Sequence, residues 1–229
     1  MQTIERYCTL NGYNCQAYVA LIRLAFTFIP CLLCGEIHEI SIHAYLWRLV
    51  RDPASGLNLE IAIISIFCPI AKERGSQYTK RLLPPFVIPY CVICRESVMA
   101  YLREHPDGAI HVAIASRLMG TVDGRTIRRH VRDAMGLIKD SSLQLWEVLS
   151  TLPGYAVVPD HRAGASAVES LEKAGEEMDR AAMRVQGGTA ARIPVLAYVH
   201  ACSVYARARQ KIVPPLSLVL RAVVFHDTS

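Results

Sequence analysis

The chain has 229 residues, of which 52% are hydrophobic and 20% charged, with a formal net charge of +5. That much apolar content excludes disorder throughout and is enough for one medium core or two small ones. The modest positive excess fits a nucleic-acid partner only where it clusters, and it does so in two places: Lys72, Arg74, Lys80 and Arg81, and the arginines between 117 and 132.

The opening residues Met1 to Leu10 place Glu5 beside Arg6 and offer no small-residue cleavage site, so no export signal is expected. From Ala17 to Leu33 the chain is apolar, but Arg23 interrupts the run and Pro30 ends it short of a bilayer span. No transmembrane helix is expected, and a reducing cytoplasm is the expected compartment. There, 8 cysteines argue for metal ligation or buried thiols rather than disulfides.

Between about 20 and 70, three runs rich in β-formers predict short strands: LAFTFIP, ISIHAYLWRLV and LEIAIISIFC. The turn cluster Asp52-Pro53-Ala54-Ser55-Gly56 joins the second to the third as an antiparallel hairpin. Three prolines in LLPPFVIPY forbid a helix and predict an extended connector. Helices are predicted over 92–104, 109–119, 123–138, 141–151, 165–186 and 194–210, with Asp123 as N-cap of the third and Gly187-Gly188 ending the fifth.

Cys31-Leu32-Leu33-Cys34-Gly35 has the form of a metal knuckle: two thiols three apart, then a glycine that lets the backbone turn so both sulfurs meet one ion. Cys68-Pro69 stands where the second knuckle of a zinc ribbon would lie, although the position of its partner is Ala71. The fourth ligand is left among Cys91, Cys94, His38 and His43, and loss of the metal is a further alternative. Cys8, Cys15 and Cys202 read as inert buried thiols.

The segment SRLMGTVDGRTIRRHVRDAMGLI, 116–138, reads as a turn and a two-faced helix. At about 100° per residue, Arg125, Arg128, Arg129 and Arg132 form one stripe, and Ile127, Val131, Ala134 and Ile138 fall opposite. A helix that packs one stripe and offers guanidiniums on the other suits a phosphate backbone and guanine edges; a solvated basic face on an ordinary core helix is the plainer reading. Trp47 and Trp146 read as core aromatics, with Trp47 able to stack on a base if it faces outward.

CLLCG, then His43-Ala44-Tyr45 with Arg48, then the hairpin, FCP, the connector RLLPPFVIPY and GRTIRRHV resemble the N-terminal region of bacterial insertion-element transposases and an uncharacterised bacterial family that shares it. The resemblance covers about residues 20 to 135. It implies a zinc ribbon followed by a helix-turn-helix, metal on Cys31, Cys34 and Cys68, and DNA contact by the helix carrying Arg125 to Arg132. The acids after residue 140 lack the spacing of a ribonuclease-H-like catalytic domain, and no nucleophile is paired with a base at recognisable spacing, so no enzyme activity is expected.

The expected fold class is therefore α+β: a small zinc-ribbon-like β-ribbon with its connector over 1–90, a helix-turn-helix over 91–140 and a helical region over 141–229. The expected function is sequence-directed binding of double-stranded DNA, with Zn as cofactor, Arg125, Thr126, Arg128, Arg129 and Arg132 at the groove, and Lys72, Arg74, Lys80 and Arg81 on adjacent backbone. A homodimer would supply two-fold symmetry; no membrane or small-molecule partner is expected. The alternatives are a protein-interaction scaffold and a dithiol redox protein using the CxxC pairs at 31–34 and 91–94.

Overall fold

A computed structural model describes residues 9–27, 30–151 and 166–186. The chain is a mixed α+β protein built on a small antiparallel sheet, with several helices packed on one another beyond it.

The first described element corrects the sequence reading. The helix α1 (Cys15–Phe26) takes in the first three residues of LAFTFIP, Leu24 to Phe26, so no strand starts there. Asn14 starts the helix by accepting the Ala17 N–H through its side chain at 3.0 Å, and Tyr18, Ile22 and Phe26 recur at helical spacing, with Tyr18 and Phe26 buried. The alanines and leucines of this stretch favour the helix, and its aromatics are placed by packing rather than by β-propensity.

The hairpin forms as its turn residues predict. Strands β1 (Ser41–Arg51) and β2 (Asn58–Phe67) pair antiparallel, with Trp47 opposite Ala62 and Val50 opposite Leu59 and an irregularity between Ile42 and Ala44. A short helix, α2 (Pro69–Glu73), follows, and β3 (Thr79–Leu82) returns alongside β2, giving the order β1-β2-β3. Lys80 and Arg81 thus lie on a strand ahead of the proline connector.

Alternation along β2 sends its isoleucines into two cores. Ile64 and Ile66 pack with Tyr18, Val19 and Phe26 of α1 and with Cys31, Cys68 and Ala71. Ile61 and Ile63 pack on the other side with Val50, Phe86, Val87 and Cys94. The proline connector covers that second face, held by Arg48, whose guanidinium donates to the Ile88 and Cys91 carbonyls at 2.8 Å each.

A third core belongs to the helices α3 (Arg95–Glu104), α4 (Val112–Met119), α5 (Gly124–Thr151) and α6 (Ala167–Gln186). The helices expected over 123–138 and 141–151 are one continuous α5. Ser141 and Ser142, at the expected start of the second of these, are buried, and the Ser142 hydroxyl lies 2.7 Å from that of Ser170 on α6. α6 begins with a capping box: Ser166 Oγ accepts the Glu169 N–H at 3.2 Å, and the Glu169 carboxylate accepts the Ser166 N–H at 2.8 Å. The expected helix over 194–210, the Gly187-Gly188 stop, Cys8 and Cys202 lie outside the described residues. Among the described residues no helix is long and apolar enough to cross a membrane.

Candidate metal centre and cationic helix

Cys31, Cys34, His38 and Cys68 bring their ligand atoms within 4.8 Å of one another. The loop after α1 builds the first half. The Gly35 N–H donates to the Cys31 carbonyl at 2.8 Å, and the Cys31 N–H to the Glu36 carbonyl at 2.8 Å. Gly35 itself stands at φ +80°, a left-handed turn that a side chain would resist. Burial opposes ionisation of Cys31, but the backbone N–H groups of Leu33 and Cys34, with His38 and Cys68, outweigh it and hold this thiol below its ordinary value.

The second half is a partial knuckle. Cys68 caps α2, its sulfur accepting the Ala71 N–H at 3.3 Å, so the backbone keeps a thiolate-binding turn although residue 71 supplies no ligand. Ala71 is fully buried, where a further ligand side chain would have stood. His38 fills the set instead. Its Nδ1 lies 2.7 Å from the Glu39 carbonyl, and its Nε2 lies 3.3 Å from Cys68 Sγ. A ring N–H directed to a backbone carbonyl leaves the other nitrogen's lone pair for a cation, an arrangement common in metal-bound histidine. Burial, above all, pushes the Cys68 thiol upward, and the neighbouring Cys34 and Cys31 sulfurs add to it. Crowded thiols of this kind release their protons when a cation takes their place.

The other candidates for the fourth ligand are corrected. His43 is exposed and stacks on Phe67 with ring centroids 6.3 Å apart. Cys94 is buried in the second core at the start of α3, its thiol directed to the Phe86 carbonyl at 3.6 Å. Cys91 meets a different residue, His130, at 3.4 Å. Cys94 is not the depressed thiol a redox dithiol of the pair 91–94 would need: burial first, and Glu96 second, push it up to about 12.

The basic residues fall into separate groups. Arg74 forms an ion pair with Glu36 and donates to the Cys34 carbonyl at 3.4 Å, closing the rim of the cysteine cluster. Lys72 lies over the Phe67 and Tyr78 rings at 5.8 and 6.0 Å. Lys80 and Arg81 sit opposite Ile66 and Ser65 on β3, Lys80 half-buried and Arg81 exposed.

On α5 the stripe is continuous. Asp123 starts the helix by accepting the Arg125 and Thr126 N–H groups at 3.1 Å each and the Thr126 hydroxyl at 2.6 Å. The Thr126 hydroxyl, first, and the two N–H groups keep that carboxyl below its ordinary value. Ile127, His130, Val131 and Ile138 are buried, whereas Arg125, Arg128, Arg129 and Arg132 are all exposed. Among the described residues Arg125, Arg128 and Arg129 form no ion pair, and Arg132 has only its neighbour Asp133 at 3.9 Å. α3 and α4 pack on this helix and on each other, so its inner face is buttressed. Thr126, expected at the groove, is turned back into the cap.

Comparison with family models, with curated proteins and with solved structures gives no match.

Proposed function

We propose that the chain is a DNA-binding module in which a zinc-stabilised sheet supports a helical unit, of the kind its sequence resembles at the start of insertion-element transposases. The observation that carries this reading is the exposed row Arg125, Arg128, Arg129 and Arg132 on a helix whose opposite face is buried. Among the described residues the row meets a carboxylate only at Arg132, which lies 3.9 Å from Asp133; this is the charge arrangement that phosphates complete. The N-terminal turns of α5 would enter a major groove, Arg125 nearest the base edges and Arg128, Arg129 and Arg132 on phosphates or guanines.

Three thiols and an imidazole make a soft, tetrahedral donor set, for which zinc is the best-suited common ion. Its role would be structural: it would tie the loop after α1 to α2 at the end of β2.

The test is a salt titration of duplex binding. With about four or five phosphates neutralised, affinity should fall on a log–log plot with a slope of about −4. Changing Arg128 and Arg129 together to Ala should weaken binding and flatten the slope by about 2; an unchanged slope rejects this surface.

A second reading, an interaction scaffold without DNA binding, is favoured by one feature. On the edge strand β1, Tyr45, Trp47 and Leu49 share a face and stay exposed, Trp47 at 69%. A scaffold would show no salt-dependent duplex affinity, so the same titration separates the two.

A further inference from the structure

The turn that joins the connector to α3 carries a pair the proposed function does not use. Cys91 is half-buried there, and its sulfur lies 3.4 Å from Nε2 of His130, a residue on the inner face of α5. The Ile93 N–H donates to the same sulfur at 3.3 Å. Tyr90, just before it, is exposed and holds φ +58°, the sole non-glycine residue with positive φ among those described. This left-handed residue reverses the chain immediately before the thiol. Arg48 fixes the turn through the Ile88 and Cys91 carbonyls, and its guanidinium is within electrostatic range of the Cys91 sulfur.

We infer that Cys91 and His130 form a reactive-thiol site at which the chain takes up a small electrophile, a hydroperoxide being the chemical class it suits best. The imidazole is the base. Burial, first, and the adjacent Arg129, second, hold His130 below its ordinary value against the opposing pull of Asp133, so the ring is neutral near pH 7 and can receive a proton. Arg48, reaching across from β1, and the Ile93 N–H stand beside the sulfur, one as a positive charge and the other as a donor. The charged and titratable neighbours of the pair are thus Arg129 and Asp133 on α5, Arg48 on β1, and Tyr90 and Arg81 acting on Arg48.

His130 takes the proton of Cys91, the thiolate attacks one oxygen of the hydroperoxide, and the O–O bond breaks. The sulfur, oxidised by two electrons, becomes a sulfenic acid; the departing alkoxide or hydroxide takes the proton back from His130 and leaves as alcohol or water. The cluster thiols Cys31, Cys34 and Cys68 converge on one another, and Cys94 is buried, so Cys91 is a half-buried thiol outside that cluster that meets an imidazole.

The experiment uses the full chain with its metal, iodoacetamide and hydrogen peroxide as probes, and peptide-resolved mass spectrometry. At pH 7 Cys91 should be alkylated about tenfold faster than the half-buried Cys15, and peroxide should yield a dimedone adduct at Cys91. His130→Gln should lower the Cys91 rate at pH 7 by about tenfold, with the two chains converging near pH 10, where thiols ionise unaided. A merely structural contact would not produce that convergence. Cys91 reacting no faster than Cys15, or a His130→Gln profile superimposed on the parent's, overturns the inference. Should His130→Gln fail to fold, the Cys91-to-Cys15 rate ratio in the unmutated chain decides the matter alone. The outcome is independent of duplex binding, which the salt titration reads separately.

Discussion

Arg51, the last residue of β1, lies directly against Gly120, the left-handed residue that closes α4 ahead of α5. A Cβ placed on Gly120 would overlap Nε, Cδ and Cζ of Arg51, so the Arg51 side chain lies across the end of α4 as it does because residue 120 has no side chain. Gly120 also stands at φ +69°, and its N–H donates to the Ser116 carbonyl at 2.8 Å. The Arg51 N–H in turn donates to the Val92 carbonyl at 2.8 Å, which anchors the arginine's backbone beside the connector.

Gly120→Ala should therefore cost about 2–3 kcal/mol, about 1 from the left-handed backbone and the rest from displacing Arg51. Urea denaturation measures it. Arg51→Ala on the same background should return part of the loss by clearing the space; if the two substitutions simply add, the contact has no energetic weight.

Removing the metal should unfold the first part of the chain. Cys68→Ser deletes one of four converging donors and leaves the Ala71 N–H facing a harder atom, so bound Zn2+ should fall from about one per chain to a small fraction, with several kcal/mol of stability lost. Chelation of the parent chain should reproduce the loss. Cys94→Ser and His43→Gln should both keep their metal; mass spectrometry under native conditions distinguishes these outcomes, and metal retained by Cys68→Ser would reject the site.

The contrast between Cys68 and His38 shows where sequence stops being legible. The spacing of Cys31 and Cys34 and the Cys68-Pro69 helix start are local signals, and the structure brings all three thiols together. His38 and His43 look alike in sequence, because either could reach a knuckle; only the course of the loop from Glu36 into β1 turns His38 inward and leaves His43 stacked on Phe67. Likewise Asp123 read correctly as a cap because capping is a contact of two or three residues. The α1 helix and the unbroken α5 did not, since Phe26 and Ser142 are placed by partners distant in sequence. No spacing rule links Cys91 to His130, which lie 39 residues apart and meet only through the packing of the connector on α5.

The hairpin turn supplies a pH dependence with a definite sign. Asp52 accepts the Ala54 and Ser55 N–H groups at 3.1 Å each and the Ser55 hydroxyl at 2.6 Å, while the backbone closes the loop from the Asp52 N–H to the Leu57 carbonyl at 2.8 Å. The Ser55 hydroxyl, first, and the two N–H groups hold this carboxyl below its ordinary value despite burial. A carboxyl depressed on folding binds its proton more tightly in the unfolded chain. Its contribution is therefore complete above the unfolded value, about 3.9, and fades as pH falls through the lower folded one. Asp52→Asn removes one accepting oxygen and the charge, so it should cost about 1–2 kcal/mol at pH 7. Because acid would also release a metal held by the cysteine cluster from both chains alike, the informative quantity is the difference in unfolding free energy between Asp52→Asn and the parent. That difference should stay constant from pH 7 to about pH 5 and shrink towards pH 2; one that persists unchanged at pH 2 would show that the Asp52 charge adds nothing to the turn.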